Sequence, residues 1–118
     1  MLKLTFSPAS PYVRKVLLSA YRAGIQDEIE LVDAGTEYDK LLRSKNPLGK
    51  IPVLQKNDGD FLFDSRVIVE HLNKLGGGLI PEYGSERDII LRRSALAEGL
   101  TDTSLLIVYS ERYAGGET

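Results

Sequence analysis

The chain has 118 residues, of which 42% are hydrophobic and 27% are charged, a composition typical of one small water-soluble domain. Lysine and arginine number 15 against 17 aspartate and glutamate residues, and no basic stretch is interleaved with aromatic side chains, so no nucleic-acid partner is expected. Because the chain has no cysteine and 1 histidine, we expect no disulfide, no protein thiolate and no bound metal.

The N-terminus lacks the apolar core of a signal peptide. The longest apolar run, LLIVY at 105–109, is too short to cross a bilayer. We therefore expect a cytoplasmic protein with no membrane partner.

The first third of the chain predicts a strand, a helix and a second strand. LKLTF at 2–6 and EIELV at 28–32 alternate apolar and polar residues, as strands do. Between them, Ser10 before Pro11 predicts a helix N-terminus, and apolar residues at helical spacing continue until Gly24. This order is typical of a right-handed parallel crossover.

The next stretch predicts a short helix, a hairpin and a further helix. TEYDKLLRSKN at 36–46 forms the short helix, with Leu41 and Leu42 directed inward, until NPLGKIP at 46–52 breaks it. PVLQ at 52–55 and DFLF at 60–63 flank an Asp-Gly turn and predict an antiparallel hairpin. DSRVIVEHLNKLG at 64–76 predicts a helix with Ile68, Leu72 and Leu75 on one face.

These elements predict an α/β fold of thioredoxin-like order, βαβ-α-ββα, over residues 1–76. GGGLIPEYG at 76–84 is rich in glycine and predicts a linker over 77–84. Residues 85–118 predict one long helix with two apolar faces, typical of the first helix of a truncated all-α domain. The two faces comprise Ile89, Leu96, Leu100 and Ile107 on one side and Leu91, Ala95, Leu105 and Tyr109 on the other.

Three stretches are predicted at the same end of the sheet: SPASPYVR at 7–14, NPLGKIPVL at 46–54 and FDSRVIVEHL at 63–72. With these motifs, residues 1–113 resemble the N-terminal half of a cytosolic glutathione S-transferase of the bacterial, serine-dependent type. The resemblance implies a first domain that binds glutathione as co-substrate and a helical second domain that completes the pocket for a small electrophile. We also expect a homodimer, because the long helix leaves a second apolar face uncovered.

Ser10 is the first candidate for the catalytic hydroxyl, and Ser7 is the second. A hydroxyl that donates to the glutathione sulfur, beside a helix N-terminus, favours the thiolate. The alternative is that Ser10 only caps the helix, which contributes about 1 kcal/mol.

The resemblance also assigns residues that bind glutathione. Pro52 resembles the family's cis-proline, which leaves the backbone N–H and C=O of Ile51 to pair with the cysteinyl part of the ligand. Lys50 either meets the glycine carboxylate or remains a solvated loop lysine. Asp64 and Ser65 resemble the acidic-Ser pair that holds the γ-glutamyl group, with Asp in place of the more usual Glu.

Two other functions compete with a glutathione transferase. One is a binding or scaffold module that keeps the fold without catalysis, since the chain holds little of an electrophile pocket. The other is a glutaredoxin-like oxidoreductase, which fails because its active turn needs cysteine where Ser10 stands. The identity of the electrophile, and whether the chain is a natural short form or a fragment, are left open.

Overall fold

The computed structural model describes residues 1–34 and 40–116. The chain divides into two compact units, Met1–Leu79 and Ile80–Thr118. The first unit contains a four-stranded sheet of order β2-β1-β3-β4. The predicted limits are 1–76 for the first domain, 77–84 for the linker and 85–118 for the helix of a second domain. The division into two units does not test them, so they remain a prediction.

The βαβ unit is confirmed. β1 (Leu2–Phe6) and β2 (Ile29–Asp33) pair in parallel, with Leu4 opposite Leu31. α1 (Pro11–Arg22) connects them, and its N-cap is Ser10. β2 begins one residue later than predicted because the chain first makes a short 3₁₀ turn at Gln26–Glu28.

The hairpin is also confirmed. β3 (Val53–Gln55) runs antiparallel to both β1 and β4 (Phe61–Phe63). In the turn between β3 and β4, Gly59 has a φ of 91°, a conformation that glycine adopts without a steric penalty. The helix that follows, α3 (Ser65–Gly76), completes the predicted βαβ-α-ββα order.

The core of the first unit lies between this sheet and the helices. α1 and α3 contact each other, and Gly76 at the end of α3 lies so close to α1 that an added Cβ would be 2.3 Å from the carbonyl oxygen of Ala23. The largest apolar side chains that are almost fully buried are Leu2, Leu4, Val16, Val53, Leu54, Ile68 and Leu72.

One predicted core position is wrong. In α2 (Lys40–Lys45), Leu42 is buried but Leu41 is 61% exposed, because neighbouring helix positions point about 100° apart and this short helix turns only the Leu42 side toward the core. In α3, Ile68 and Leu72 are fully buried, whereas Leu75, in the last turn on the same face, is 48% exposed. The predicted first residues of the short helix, 36–39, lie outside the described residues.

The second unit contains α4, a single long helix over Ser85–Gly116. Most of the residues predicted to form its two apolar faces are exposed in this chain, including Leu96, Leu100, Ile107 and Tyr109, while Leu105 is half-buried. In the parts of the chain that the structure describes, no helix combines the length and apolar character needed to cross a membrane.

Candidate functional site

The register of the sheet brings the predicted site stretches to the same end of the strands. Thr5 near the end of β1 lies opposite Val53 at the start of β3, and Val53 lies opposite Phe63 at the end of β4. The turn after β1, Pro52 before β3, and Asp64 after β4 therefore lie at the same end of the sheet, where adjacent strands are about 5 Å apart. The predicted convergence of the three stretches at one end of the sheet is confirmed.

The turn after β1 holds Ser7 and Ser10 close together. The Ser10 backbone N–H donates to the Ser7 carbonyl oxygen at 3.2 Å, and both side chains are half-buried. The Ser7 hydroxyl accepts from the Ala9 N–H at 3.4 Å. The Ser10 hydroxyl accepts from the Val13 N–H at 3.2 Å and caps α1. Ser10 is therefore an N-cap, as expected.

Capping does not use up the Ser10 hydroxyl. A serine oxygen has two acceptor lone pairs and one hydrogen to donate. Accepting from Val13 engages one lone pair and leaves the O–H hydrogen to be donated. The capping role and the thiolate role are thus chemically compatible in one side chain.

The loop before β3 carries Lys50, Ile51 and Pro52. Lys50 is exposed, Ile51 is half-buried and Pro52 is buried, and the Ile51–Pro52 peptide bond is cis. Asn46 lies at the start of the loop with 2% of its surface exposed, and its side chain bonds to the backbone of two loop residues. An Asn-Pro dipeptide is a recognised turn signal, but nothing in the sequence pattern singles out Asn46 as buried.

Asp64 and Ser65 begin α3. Asp64 is the N-cap, with a φ of 71°, which is uncommon for a residue other than glycine. Ser65 is 4% exposed and occupies the first helical position. The backbone conformation of Asp64 therefore turns the chain abruptly from β4 into the helix.

Arg66 holds the Asp64 carboxylate. One carboxylate oxygen accepts from the Arg66 backbone N–H at 2.9 Å and from its Nε at 3.0 Å, and the other accepts from Nη2 at 2.7 Å. The hydrogen bond from Arg66 is the main cause that lowers the pKa of Asp64 to about 2, and Lys15 of α1 adds a smaller electrostatic effect in the same direction. Pattern reading alone did not identify Arg66 or Lys15.

A shallow groove of about 440 Å³ lies between α3 and the β3–β4 hairpin. Its wall includes His71, whose pKa is lowered first by desolvation and then by the charges of Lys56 and Lys74. The lining residues are Lys56, Leu62, Arg66, Val67, Glu70, His71 and Lys74. None of the predicted site residues lines this groove.

The described part of the chain, residues 1–34 and 40–116, contains no group of three or more His, Cys, Asp or Glu residues arranged to hold a metal ion. The polar groups that this end of the sheet does bring together are hydroxyls, a carboxylate, cationic side chains and backbone amides. Such groups bind small zwitterionic or anionic organic ligands through hydrogen bonds.

Comparisons with known proteins show relatives over most of the chain. An uncharacterized glutathione S-transferase-like protein, YibF, of Escherichia coli (strain K12) is 32% identical over 109 residues, which cover 91% of this chain and 54% of that protein. A crystal structure of a glutathione transferase family member from Pseudomonas fluorescens Pf-5 with bound glutathione is 41% identical, with a TM-score of 0.84 over 91% of this chain and 55% of that one.

A glutathione S-transferase from Methylobacillus flagellatus KT, crystallised with glutathione bound, is 39% identical with a TM-score of 0.84 over 95% of this chain and 56% of that one. The chain thus spans about half the length of these relatives. A family model described as the N-terminal domain of glutathione S-transferase matches residues 9–75, more than half of the chain. The chain therefore belongs to the glutathione S-transferase family, and the matching region is its thioredoxin-like N-terminal domain.

Proposed function

We propose that this chain binds glutathione and that the Ser10 hydroxyl stabilises its thiolate for attack on a small electrophile. The observation that supports the proposal most is the sheet register, which brings the serine turn, the Pro52 loop and the start of α3 to one end of the sheet. The similar proteins of Pseudomonas fluorescens and Methylobacillus flagellatus, whose crystals hold glutathione, add support.

Ser10 acts on the sulfur through its O–H. A free cysteine thiol has a pKa of about 8.5, so at neutral pH most of it is protonated and poorly nucleophilic. A hydrogen bond to a charged group contributes roughly 1.5–3 kcal/mol, which corresponds to a thiol pKa lower by about 1–2 units. The N-terminus of α1, which Ser10 caps, favours the same negative charge. Ser7 is the alternative donor in the same turn.

The remaining contacts fix the tripeptide. The backbone of Ile51 pairs with the cysteinyl unit, and the Lys50 ammonium meets the glycine carboxylate. Asp64 has a lowered pKa and is therefore ionised at neutral pH, so that its carboxylate faces the γ-glutamyl ammonium. Ser65 and the N-terminus of α3 meet the γ-glutamyl carboxylate. Glutathione is then a co-substrate held by charge and hydrogen-bond complementarity at both of its ends.

The reaction is a nucleophilic substitution or addition at carbon. The thiol proton leaves to solvent, the thiolate electron pair forms a sulfur–carbon bond, and in a substitution the leaving group departs with the electron pair of the bond that breaks. The protein lowers the barrier by holding the thiolate and the electrophile in position, and it forms no covalent intermediate. We further propose that the protein is cytoplasmic and forms a homodimer, and the exposed apolar residues of α4 support the homodimer.

A second candidate is a module that binds glutathione without catalysing its transfer. The capping contact of Ser10 favours this candidate, because a hydroxyl that only accepts from the Val13 N–H at 3.2 Å would leave bound glutathione without activation. Both candidates require glutathione binding, so turnover separates them.

The test combines calorimetric titration of glutathione with an assay of conjugation to an activated aryl halide. Ser10→Gly is the informative variant, because glycine at an N-cap costs only a few tenths of a kcal/mol, so the helix is retained while the hydroxyl is lost. Ser19→Ala is the matched control, since the Ser19 hydroxyl donates to the Lys15 carbonyl oxygen in the middle of the same helix.

We expect Ser10→Gly to bind glutathione with little change and to raise the pH midpoint of kcat/KM by about 1–2 units. Ser19→Ala should match the parent chain. Turnover in Ser10→Gly with an unshifted pH midpoint would remove Ser10 from its role and direct the same test to Ser7. Binding with no measurable turnover in the parent chain would favour the module, and absence of glutathione binding would exclude both candidates.

A further inference from the structure

Asn46 is a buried amide in a surface loop, and its burial needs a physical explanation. Only 2% of its surface is exposed, and an amide side chain gains little from burial unless its polar atoms are bonded. Both ends of the side chain are bonded: Oδ1 accepts from the Leu48 N–H at 3.0 Å, and Nδ2 donates to the Lys50 carbonyl oxygen at 2.9 Å. The side chain thus fixes the path of the loop from its inside.

The backbone of Asn46 anchors the same loop to α2. Its N–H donates to the carbonyl oxygen of Leu42, a core residue, at 2.8 Å, and its carbonyl oxygen accepts from the Gly49 N–H at 2.9 Å. Four hydrogen bonds therefore connect Asn46 to residues on both sides of it. Asn46 therefore anchors the loop to α2, whose residue Leu42 lies in the core.

The bond to Lys50 has a directional consequence. The Lys50 carbonyl and the Ile51 N–H belong to one planar trans peptide unit, in which C=O and N–H point in opposite directions. Because Asn46 holds the carbonyl on the inner side of the loop, the Ile51 N–H points to the outer side. Without this bond the peptide unit is free to rotate about its flanking ψ and φ angles.

We propose that Asn46 is a positioning residue that aims the Ile51 N–H at the ligand by holding the Lys50–Ile51 peptide unit. The inference rests on the proposed function, in which Ile51 pairs with the cysteinyl unit of glutathione through its backbone. Asn46 touches no reacting atom, so its loss weakens glutathione binding and leaves thiolate formation at Ser10 unaltered.

The test compares Asn46→Ala with Asn73→Ala. Asn73 is a matched control, because its Oδ1 also closes a loop, accepting from the Leu79 N–H at 2.9 Å, but at the far end of α3. Asn46→Asp is a second variant that keeps the side-chain volume and the acceptor for Leu48 while it deletes the donor to Lys50. Glutathione affinity by calorimetry and the pH midpoint of kcat/KM are measured at a temperature where each variant is folded by circular dichroism.

We expect Asn46→Ala and Asn46→Asp to weaken glutathione binding by roughly three- to tenfold, the range for loss of one hydrogen bond, without moving the pH midpoint. Asn73→Ala should bind like the parent chain even where its melting temperature falls equally. If Asn46→Asp, or a folded Asn46→Ala, binds as tightly as Asn73→Ala, the positioning role is overturned while glutathione binding by the parent stands. If the parent itself fails to bind glutathione, the proposed function falls and this inference falls with it.

Discussion

The ion pair between Asp64 and Arg66 gives the sharpest prediction at the candidate site. Arg66→Gln removes the guanidinium, and with it the contacts at 3.0 and 2.7 Å, while the backbone N–H contact to the carboxylate is retained. The expected result is a higher pKa for Asp64, because the side-chain hydrogen bond from Arg66 is the largest cause of its present value of about 2. Carbon-detected NMR titration of the Asp64 carboxyl group measures this directly.

The effect on stability is small, and its pH window follows from the direction of the shift. A fall in pKa from 3.8 to about 2 corresponds to roughly 2.4 kcal/mol at about 1.36 kcal/mol per pKa unit. The two side chains are 41% and 65% exposed, so solvent screening reduces the contribution to about 0.5–1 kcal/mol. Because the folded pKa is depressed, this stability is fully present above about pH 4 and is lost as the pH falls through about 2.

Urea denaturation of the parent and of Arg66→Gln should therefore differ most above pH 4 and converge toward pH 2. Lys56→Gln is the matched control, because Lys56 pairs with Asp58 at 3.3 Å in the hairpin and its loss should leave the pKa of Asp64 unchanged. A pKa of Asp64 that stays near 2 in Arg66→Gln would refute the assignment of the shift to the guanidinium. Equal shifts in both variants would point to general charge rather than to this pair.

Three further predictions concern packing. Gly76→Ala should lower the free energy of unfolding by about 1–2 kcal/mol, because the new Cβ would lie 2.3 Å from the Ala23 carbonyl oxygen and overpacking costs roughly 1–3 kcal/mol; an unchanged urea midpoint would contradict this. Gly99→Ala, where a Cβ meets nothing within 4 Å, should instead add up to about 1 kcal/mol of helix stability, seen as higher ellipticity on heating. Leu72→Ala, at a fully buried position, should cost about 2–5 kcal/mol, whereas Leu75→Ala, at a position 48% exposed, should cost clearly less in the same denaturation experiment.

The predicted site depends on local motifs, which are visible in the sequence, and on the long-range pairing of strands, which is not. The three stretches that resemble the family were recognisable in the sequence because each is a compact motif: a serine turn, a proline loop and a helix start. Their meeting at one end of the sheet depends on the antiparallel pairing of β1 with β3, which joins residues about 50 positions apart. No local pattern contains that pairing, so it was a prediction until the register was known.

The sequence by itself determined the elements. β1 occupies the predicted residues, α1 begins at Pro11 after its Ser10 cap, and the hairpin turns at Asp58 and Gly59, since alternation, capping and turn chemistry are properties of short stretches. The tertiary structure alone decided which apolar side chains are inside. Leu42 is buried and Leu41 is not, because the rotation of a helix about its axis is set by what it packs against.

The same division holds at the site. The sequence pattern places Asp64 at the start of a helix, but only the folded structure shows that Arg66 donates to its carboxylate and that Lys15 of α1 adds to its charge environment. Asn46 looked like an ordinary turn residue, and its burial became visible only when the loop closed over it. Sequence determines local conformation through nearest neighbours, whereas burial and electrostatic partners depend on segments that are distant in the chain and adjacent only after folding.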